Sequence, residues 1–215
     1  LSAHRDLLQA DAVLSADGAR WRADLTTINV GNRGNGGFEI TLRTAAKDLH
    51  SGRYGGVVPN ALHVMAALVA GLRDGAGRIV VPGFYDGVEE PTAEERAAIA
   101  AIPFDEDALL AELQAAPAGE PGYGFLERLW LRPTLEVNGM WGGYLGAGVK
   151  TVLPSEAGFK VSLRLVKDQN PNAVMESLVE HVMGFVSDTI DVEIKPGQRS
   201  PAVQMMFDTP EVEAV

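Results

Sequence analysis

Phe159-Lys160-Val161-Ser162-Leu163-Arg164-Leu165-Val166 is the stretch that decides the fold. Phe159, Val161, Leu163 and Leu165 alternate with Lys160, Ser162 and Arg164, the period of two of a half-buried strand. Asp168-Gln169-Asn170-Pro171 then turns the chain into a helix whose Val174, Leu178, Val179, Val182 and Phe185 share one face. A last strand is expected from Asp191 to Lys195. Upstream, Phe38, Ile40 and Leu42 alternate with Glu39, Thr41 and Arg43, and Pro59 and Asn60 open an earlier helix. Its apolar face is Leu62, Met65, Leu68, Val69 and Leu72. Ile79 to Val81 reads as a short strand and Thr134 to Val137 as another.

The texture differs between Phe84 and Arg132. Thr92 with Glu95 makes a capping box, and Asp105 starts a second helix over Asp107–Leu113, so residues 84–132 read as a helical, mostly surface-lying insertion. Without it the order is strand, helix, strand, strand, helix, strand. That is the α+β, ferredoxin-like βαββαβ sandwich, an antiparallel sheet with two helices on one face. Ahead of it, Asp11–Ser15 and Thr26–Val30 read as strands. The glycine-rich run Gly31-Asn32-Arg33-Gly34-Asn35-Gly36-Gly37 reads as a hinge or domain crossing.

Composition narrows the function. The chain has 215 residues, 46% of them hydrophobic and 22% charged, ordinary for a globular protein. Lys and Arg number 18 against 29 Asp and Glu, a formal net charge of −11. Such a surface repels phosphate backbones, so nucleic acid is not an expected partner. With no cysteine there are no disulfides or thiolate metal sites, and any metal must be held by His and carboxylates. No apolar run reaches the roughly 20 residues needed to cross a bilayer, and Leu1–Asp6 lacks the build of a signal peptide. A cytoplasmic location is the expectation. The absence of an initiator Met suggests a chain cut from a longer protein.

Few residues stand out as carriers of chemistry. His63 and His181 fall inside helices without a second ligand at i+3 or i+4, which suits surface or packing roles. His4 carries no signal, and Glu89-Glu90 reads as a solvated pair before a helix. His50 stands between a strand and a Gly-rich loop. It either caps local backbone or reaches outward as a donor that stabilises developing negative charge. Arg164 is either a solvated strand residue or a fork for a substrate carboxylate. Asp17 is either a turn former or an oxygen ligand to a metal, though spacing alone offers it no companions.

Asp48-Leu49-His50-Ser51-Gly52-Arg53-Tyr54-Gly55-Gly56 resembles the M20 metallopeptidases, nearest to their carnosinase-like, nonspecific dipeptidase branch. The resemblance continues through Val80–Phe84, Pro91-Thr92, Arg132–Leu135, Lys150-Thr151-Val152-Leu153-Pro154 and Val161–Val166, and upstream through Leu14–Gly18 and Gly31–Gly34. It implies a zinc-dependent hydrolase with a catalytic α/β domain and an inserted ferredoxin-like lid that dimerises and reaches into the partner's active site. On that resemblance Asp17 matches a zinc ligand, and His50 the lid histidine that crosses the dimer to polarise the scissile carbonyl. Thr151 matches a lid contact to substrate, and Arg164 the arginine that binds the substrate carboxylate.

The resemblance further implies that the remaining ligands of a two-zinc site lie before Leu1 and after Val215. Residues 1–34 then belong to the first half of the catalytic domain, 35–197 to the lid and dimerisation domain with its 84–132 insertion, and 198–215 to the return. The expected whole is a homodimer acting on dipeptides or small peptides. The chain alone is expected to hold no catalytic zinc and to hydrolyse nothing. Two other readings remain: an M20 deacylase of N-acyl amino acids, and a non-catalytic ferredoxin-like oligomerisation module.

Overall fold

A computed structural model describes residues 2–10, 29 and 31–205. The chain divides into two units, Leu1–Asn32 with Gln204–Val215, and Arg33–Val203. The described part of the first holds a 3₁₀ helix, Ser2–Leu7, and a short strand β1, Gly31–Asn32. A short strand β8, Val203–Gln204, spans the boundary. Asp17 and the expected strands at Asp11–Ser15 and Thr26–Val30 lie outside the described residues, apart from Asn29.

The second unit is a four-stranded sheet with two helices on one face. Its strands are β2 (Gly34–Arg43), β4 (Thr134–Gly142), β6 (Glu156–Leu165) and β7 (Asp191–Pro196). They lie in the order β4-β6-β2-β7, each antiparallel to its neighbour. Helix α2 (Ala61–Ala70) connects β2 towards β4, and α6 (Pro171–Met183) connects β6 to β7. This is the βαββαβ sandwich that the alternation around Phe159 requires.

The core follows from period matching. Phe38, Ile40 and Leu42 of β2 and Phe159, Val161, Leu163 and Leu165 of β6 point to the helix face. They meet Met65 and Leu68 of α2 and Val174, Met175, Leu178 and Val182 of α6. Each such side chain contributes about 1.5–3 kcal/mol by leaving water. Phe185, expected on the buried face of α6, is instead 42% exposed beyond the helix end. Asn60 and Asn170 cap α2 and α6 by accepting from Leu62 N–H and Asn172 N–H.

Three local expectations change. The glycine run is not wholly a hinge, because β2 begins at Gly34 and pairs with β6 from Gly34↔Leu165 onward. A Cβ at Gly34 would lie 2.6 Å from the Ser200 carbonyl, so glycine there permits close strand approach. Ile79–Val81 forms only an isolated bridge, Arg73↔Ile79, rather than a strand. Thr134–Val137 runs on to Gly142, through a bulge between Val137 and Gly139.

The insertion carries α3 (Ala93–Ala100), α4 (Glu106–Leu113) and α5 (Phe125–Leu131). The Thr92–Glu95 capping box is formed, and Asp105 accepts from Ala108 N–H. Helices α3 and α4 bury no residue, in keeping with a surface position. Phe84, however, is fully buried in the main core, so the excursion departs after it. It returns through a buried ion pair: Arg132 donates to both Glu120 oxygens at 3.0 Å. Arg78 also pairs with Glu120, and the Arg132 guanidinium stacks 4.3 Å from the Tyr123 ring centre.

Candidate functional site

A second, much smaller ladder presents the candidate histidine. Strand β3 (Leu49–His50) pairs with β5 (Val152–Leu153) in the register His50↔Val152, and α1 (Ser51–Tyr54) follows immediately. Two residue pairs hold little by themselves. Two flanking links fix the register: Ser51 N–H donates to the Thr151 carbonyl at 3.2 Å, and Asp48 Oδ1 accepts from both Ser155 N–H (3.0 Å) and Ser155 Oγ–H (2.9 Å). Those two donated bonds hold the Asp48 carboxyl below its ordinary value, since they favour its charged form.

The backbone-capping reading of His50 is realised on one ring nitrogen, and the other is left facing outward. The residue is the N-cap of α1, and its Nδ1 accepts from Gly52 N–H at 3.0 Å. A neutral imidazole that accepts at Nδ1 carries its proton on Nε2. That Nε2 faces Thr151 Oγ1 at 3.4 Å, and both residues are exposed. The turn therefore presents an N–H donor and a hydroxyl side by side.

Arg164 lies elsewhere. It is exposed on the sheet face opposite the helices, with Asn35 and Thr134 as its cross-strand neighbours. The His50 ladder sits beside the Glu156 end of β6 and Arg164 near the other end of that ten-residue strand. At roughly 3.3 Å per residue the two ends are about 26 Å apart. The structure brings His50 and Thr151 together and keeps Arg164 away from them.

The other histidines behave as packing and surface groups. His63 is exposed, and His181 Nε2 bonds the Gly71 carbonyl at 2.8 Å, tying α6 to the end of α2. Among the described residues no group of three or more His, Asp or Glu is placed to hold a metal ion. The described residues by themselves do not make up a metal centre. Among the same residues no helix is long and apolar enough to cross a membrane. Asp48 opens the stretch that carries the family resemblance, but nothing in its type or spacing marked it as the anchor that ties this ladder to Ser155.

A sandwich that exposes an imidazole at one end and a guanidinium at the other, with no ligand cluster of its own among the described residues, has the character of an accessory domain. The sequence matches the Peptidase dimerisation domain of M20 type over residues 30–187, and the chain belongs to that family. It is 34% identical over 160 residues to the Beta-Ala-His dipeptidase of Homo sapiens, covering 72% of this chain and 31% of that protein. It is 30% identical over 160 residues to a Cys-Gly metallodipeptidase of Candida albicans, covering 72% of this chain and 32% of that protein. An M20 family metallo-carboxypeptidase from Sulfolobus solfataricus superposes with a TM-score of 0.82 at 30% identity, over 99% of this chain and 55% of that one. Human carnosine dipeptidase 1 superposes with a TM-score of 0.74 at 28% identity, over 86% of this chain and 40% of that one. The chain spans about a third of the length of these curated relatives.

Proposed function

We propose that this chain is the lid and dimerisation region of an M20 metallopeptidase of dipeptidase type, and that it supplies substrate-facing groups to an active site whose metal ligands lie largely on other polypeptide. The observation that carries the reading is the state of His50: Nδ1 is occupied by Gly52 N–H, and the exposed Nε2–H lies 3.4 Å from the Thr151 hydroxyl. Aimed at a peptide carbonyl, that N–H stabilises the negative charge that develops on oxygen as the carbonyl is attacked. Thr151 contacts the substrate beside it, and Arg164 binds the substrate carboxylate through its planar fork. Residues 1–34 and 198–215 are assigned to the catalytic domain and 35–197 to the lid.

When bound, two zinc ions held with Asp17 and ligands outside this chain would activate the attacking water. The separation of His50 from Arg164 bears on assembly. An extended dipeptide spans about 7 Å, so one dipeptide cannot touch both groups of one chain. A homodimer resolves this, with His50 and Thr151 supplied by one protomer and Arg164 by the other. In the full-length enzyme, His50→Ala is expected to leave zinc content unchanged and to lower kcat about 10²–10³-fold, the scale for losing one oxyanion donor. Unchanged kcat would remove the role. The chain alone, given zinc and dipeptides, is expected to show no turnover.

A further inference from the structure

The outer face of the sheet carries a polar row at its far end. Thr134, Arg164, Asn35 and Ser200 are consecutive cross-strand neighbours, running across β4, β6 and β2 to the segment after β7. Arg33 is half-buried, two residues before Asn35, the cross-strand partner of Arg164, and one before Gly34, the partner of Leu165. Burial and, after it, the Arg164 charge hold the Arg33 guanidinium below its ordinary value. Among the described residues no carboxylate pairs with either. Arg53 and Arg199 likewise have no acidic partner there, whereas Arg43, Arg73, Arg78, Arg96, Arg128 and Arg132 do. What sets Arg33 and Arg164 apart is that the two are neighbours. The nearest acid along that face, Glu136 opposite Ser162, is engaged by Arg73. In so acidic a chain, two adjacent cations left without an acid stand out as an anion site.

We infer that Arg33 and Arg164 together form a two-guanidinium clamp for a single carboxylate, and that Arg33 sets the requirement for a free carboxylate at the end of the substrate. The inference rests on the reading of Arg164 given above and adds a second residue to it. A carboxylate has two oxygens and about four lone-pair directions, enough to accept from two forks at once. Arg164 is exposed and its grip alone is weakened by water, whereas the half-buried Arg33 acts in a medium of lower dielectric constant. Binding the anion also relieves the repulsion between the two cations, so the charge that destabilises the empty site favours the filled one.

The test uses the full-length enzyme with Arg33→Gln, Arg33→Lys and Arg164→Gln, each assayed on a dipeptide and on its C-terminal amide. For Arg33→Gln the expected result is a KM for the free acid raised about 10–100-fold, the scale for losing a charge-assisted hydrogen bond. Its kcat should change less than about twofold, and kcat/KM for the amide should stay at the wild-type value. Arg33→Lys should fall between, keeping the charge but losing the fork. If Arg164→Gln raises the KM for the acid and Arg33→Gln does not, the clamp is overturned while the role of Arg164 stands. If Arg164→Gln also leaves that KM unchanged, both are overturned. Equal losses on acid and amide in Arg33→Gln also overturn the clamp. The thermal midpoint of the Arg33→Gln chain should be no lower than wild type, since the change removes a like-charge contact.

Discussion

His50 Nε2 lies 3.4 Å from Thr151 Oγ1, across a ladder only two residue pairs long, while Nδ1 of the same ring accepts from Gly52 N–H at 3.0 Å. The helix-capping bond thus selects the tautomer. In the isolated chain, nitrogen NMR of the His50 ring is expected to show the neutral form protonated on Nε2. A Cβ at residue 52 would come within 3.0 Å of His50 Cε1, so Gly52→Ala should turn the ring away from its cap. In that variant the tautomer preference should weaken, and kcat of the full-length enzyme should fall without loss of metal. A Nδ1-protonated ring in the wild type would defeat the assignment.

The distance of about 26 Å along β6 between the His50 end and Arg164 leads to a complementation experiment. Homodimers of full-length His50→Ala and of Arg164→Ala should each be impaired at both sites. Mixed dimers place both lesions in one site and leave the other with intact groups. Activity after subunit exchange should therefore rise towards a quarter of wild type, since about half of the dimers are mixed and each has one good site. No recovery, with exchange confirmed by mass spectrometry, would mean that both residues serve the same site from one chain.

Sheet and helices were legible because their apolar residues repeat at 2 and 3.6, and burial enforces the same periods. Asn60, Thr92, Asp105 and Asn170 announced helix starts because capping is local chemistry. The glycine run misled for a reason of the opposite kind: Gly34 is needed because the Ser200 backbone approaches from far along the chain. Ile79–Val81 has strand-like residues but finds only one bridging partner. At the site, the resemblance singled out His50 and Thr151 from residues far apart in the chain, and the β3–β5 pairing sets them side by side. Spacing could not show that Arg164 faces the other end of the sheet, or that Arg33 stands beside it, because both facts depend on strand register.

The Asp48–Ser155 link should make the His50 ladder sensitive to acid. The folded-state pKa of Asp48 is lowered from 3.8, chiefly by the Ser155 backbone N–H and then by its hydroxyl. Its contribution is therefore present above the unfolded value and lost as pH falls through the lower folded value. Asp48 is exposed, so the effect on global stability is small and the effect on local order larger. Asp48→Asn should speed amide exchange at Ser155 and Val152 at neutral pH, with little change in thermal midpoint. Unaltered exchange there would show that the ladder holds without Asp48.

The buried Arg132–Glu120 pair should decide whether the insertion stays docked. Removing one partner strands the other charge out of water, which costs about 3–5 kcal/mol. Glu120→Gln is expected to lower the thermal midpoint, and Glu120→Gln with Arg132→Met to recover part of the loss. Nearby, burial and the Glu90 bond push the Tyr123 hydroxyl up to about 12 from 10.0. A raised folded-state value means stability intact below pH 10 and lost as pH climbs towards 12. Burial also raises the Tyr85 hydroxyl, so ultraviolet titration should show late ionisation that Tyr123→Phe reduces by one tyrosine's amplitude.

The two sheet edges differ in how well they could accept a second copy of the chain. Edge β7 alternates Asp191, Glu193 and Lys195, ends in Pro196, and is bound up with Arg43, features that discourage strand pairing. Edge β4 exposes Met140 and lies beside α2, whose outward residues Ala66, Ala67 and Ala70 are small enough for close helix approach. A two-fold contact through β4 and α2 is therefore the expected dimer interface. Ala67→Glu and Met140→Lys should each shift the chain towards monomer in sedimentation at concentrations where the wild type is dimeric. Because both positions are exposed, their thermal midpoints at high dilution should match wild type. If a charge reversal at Glu193 dissociates the dimer and these two do not, the interface lies on β7 instead.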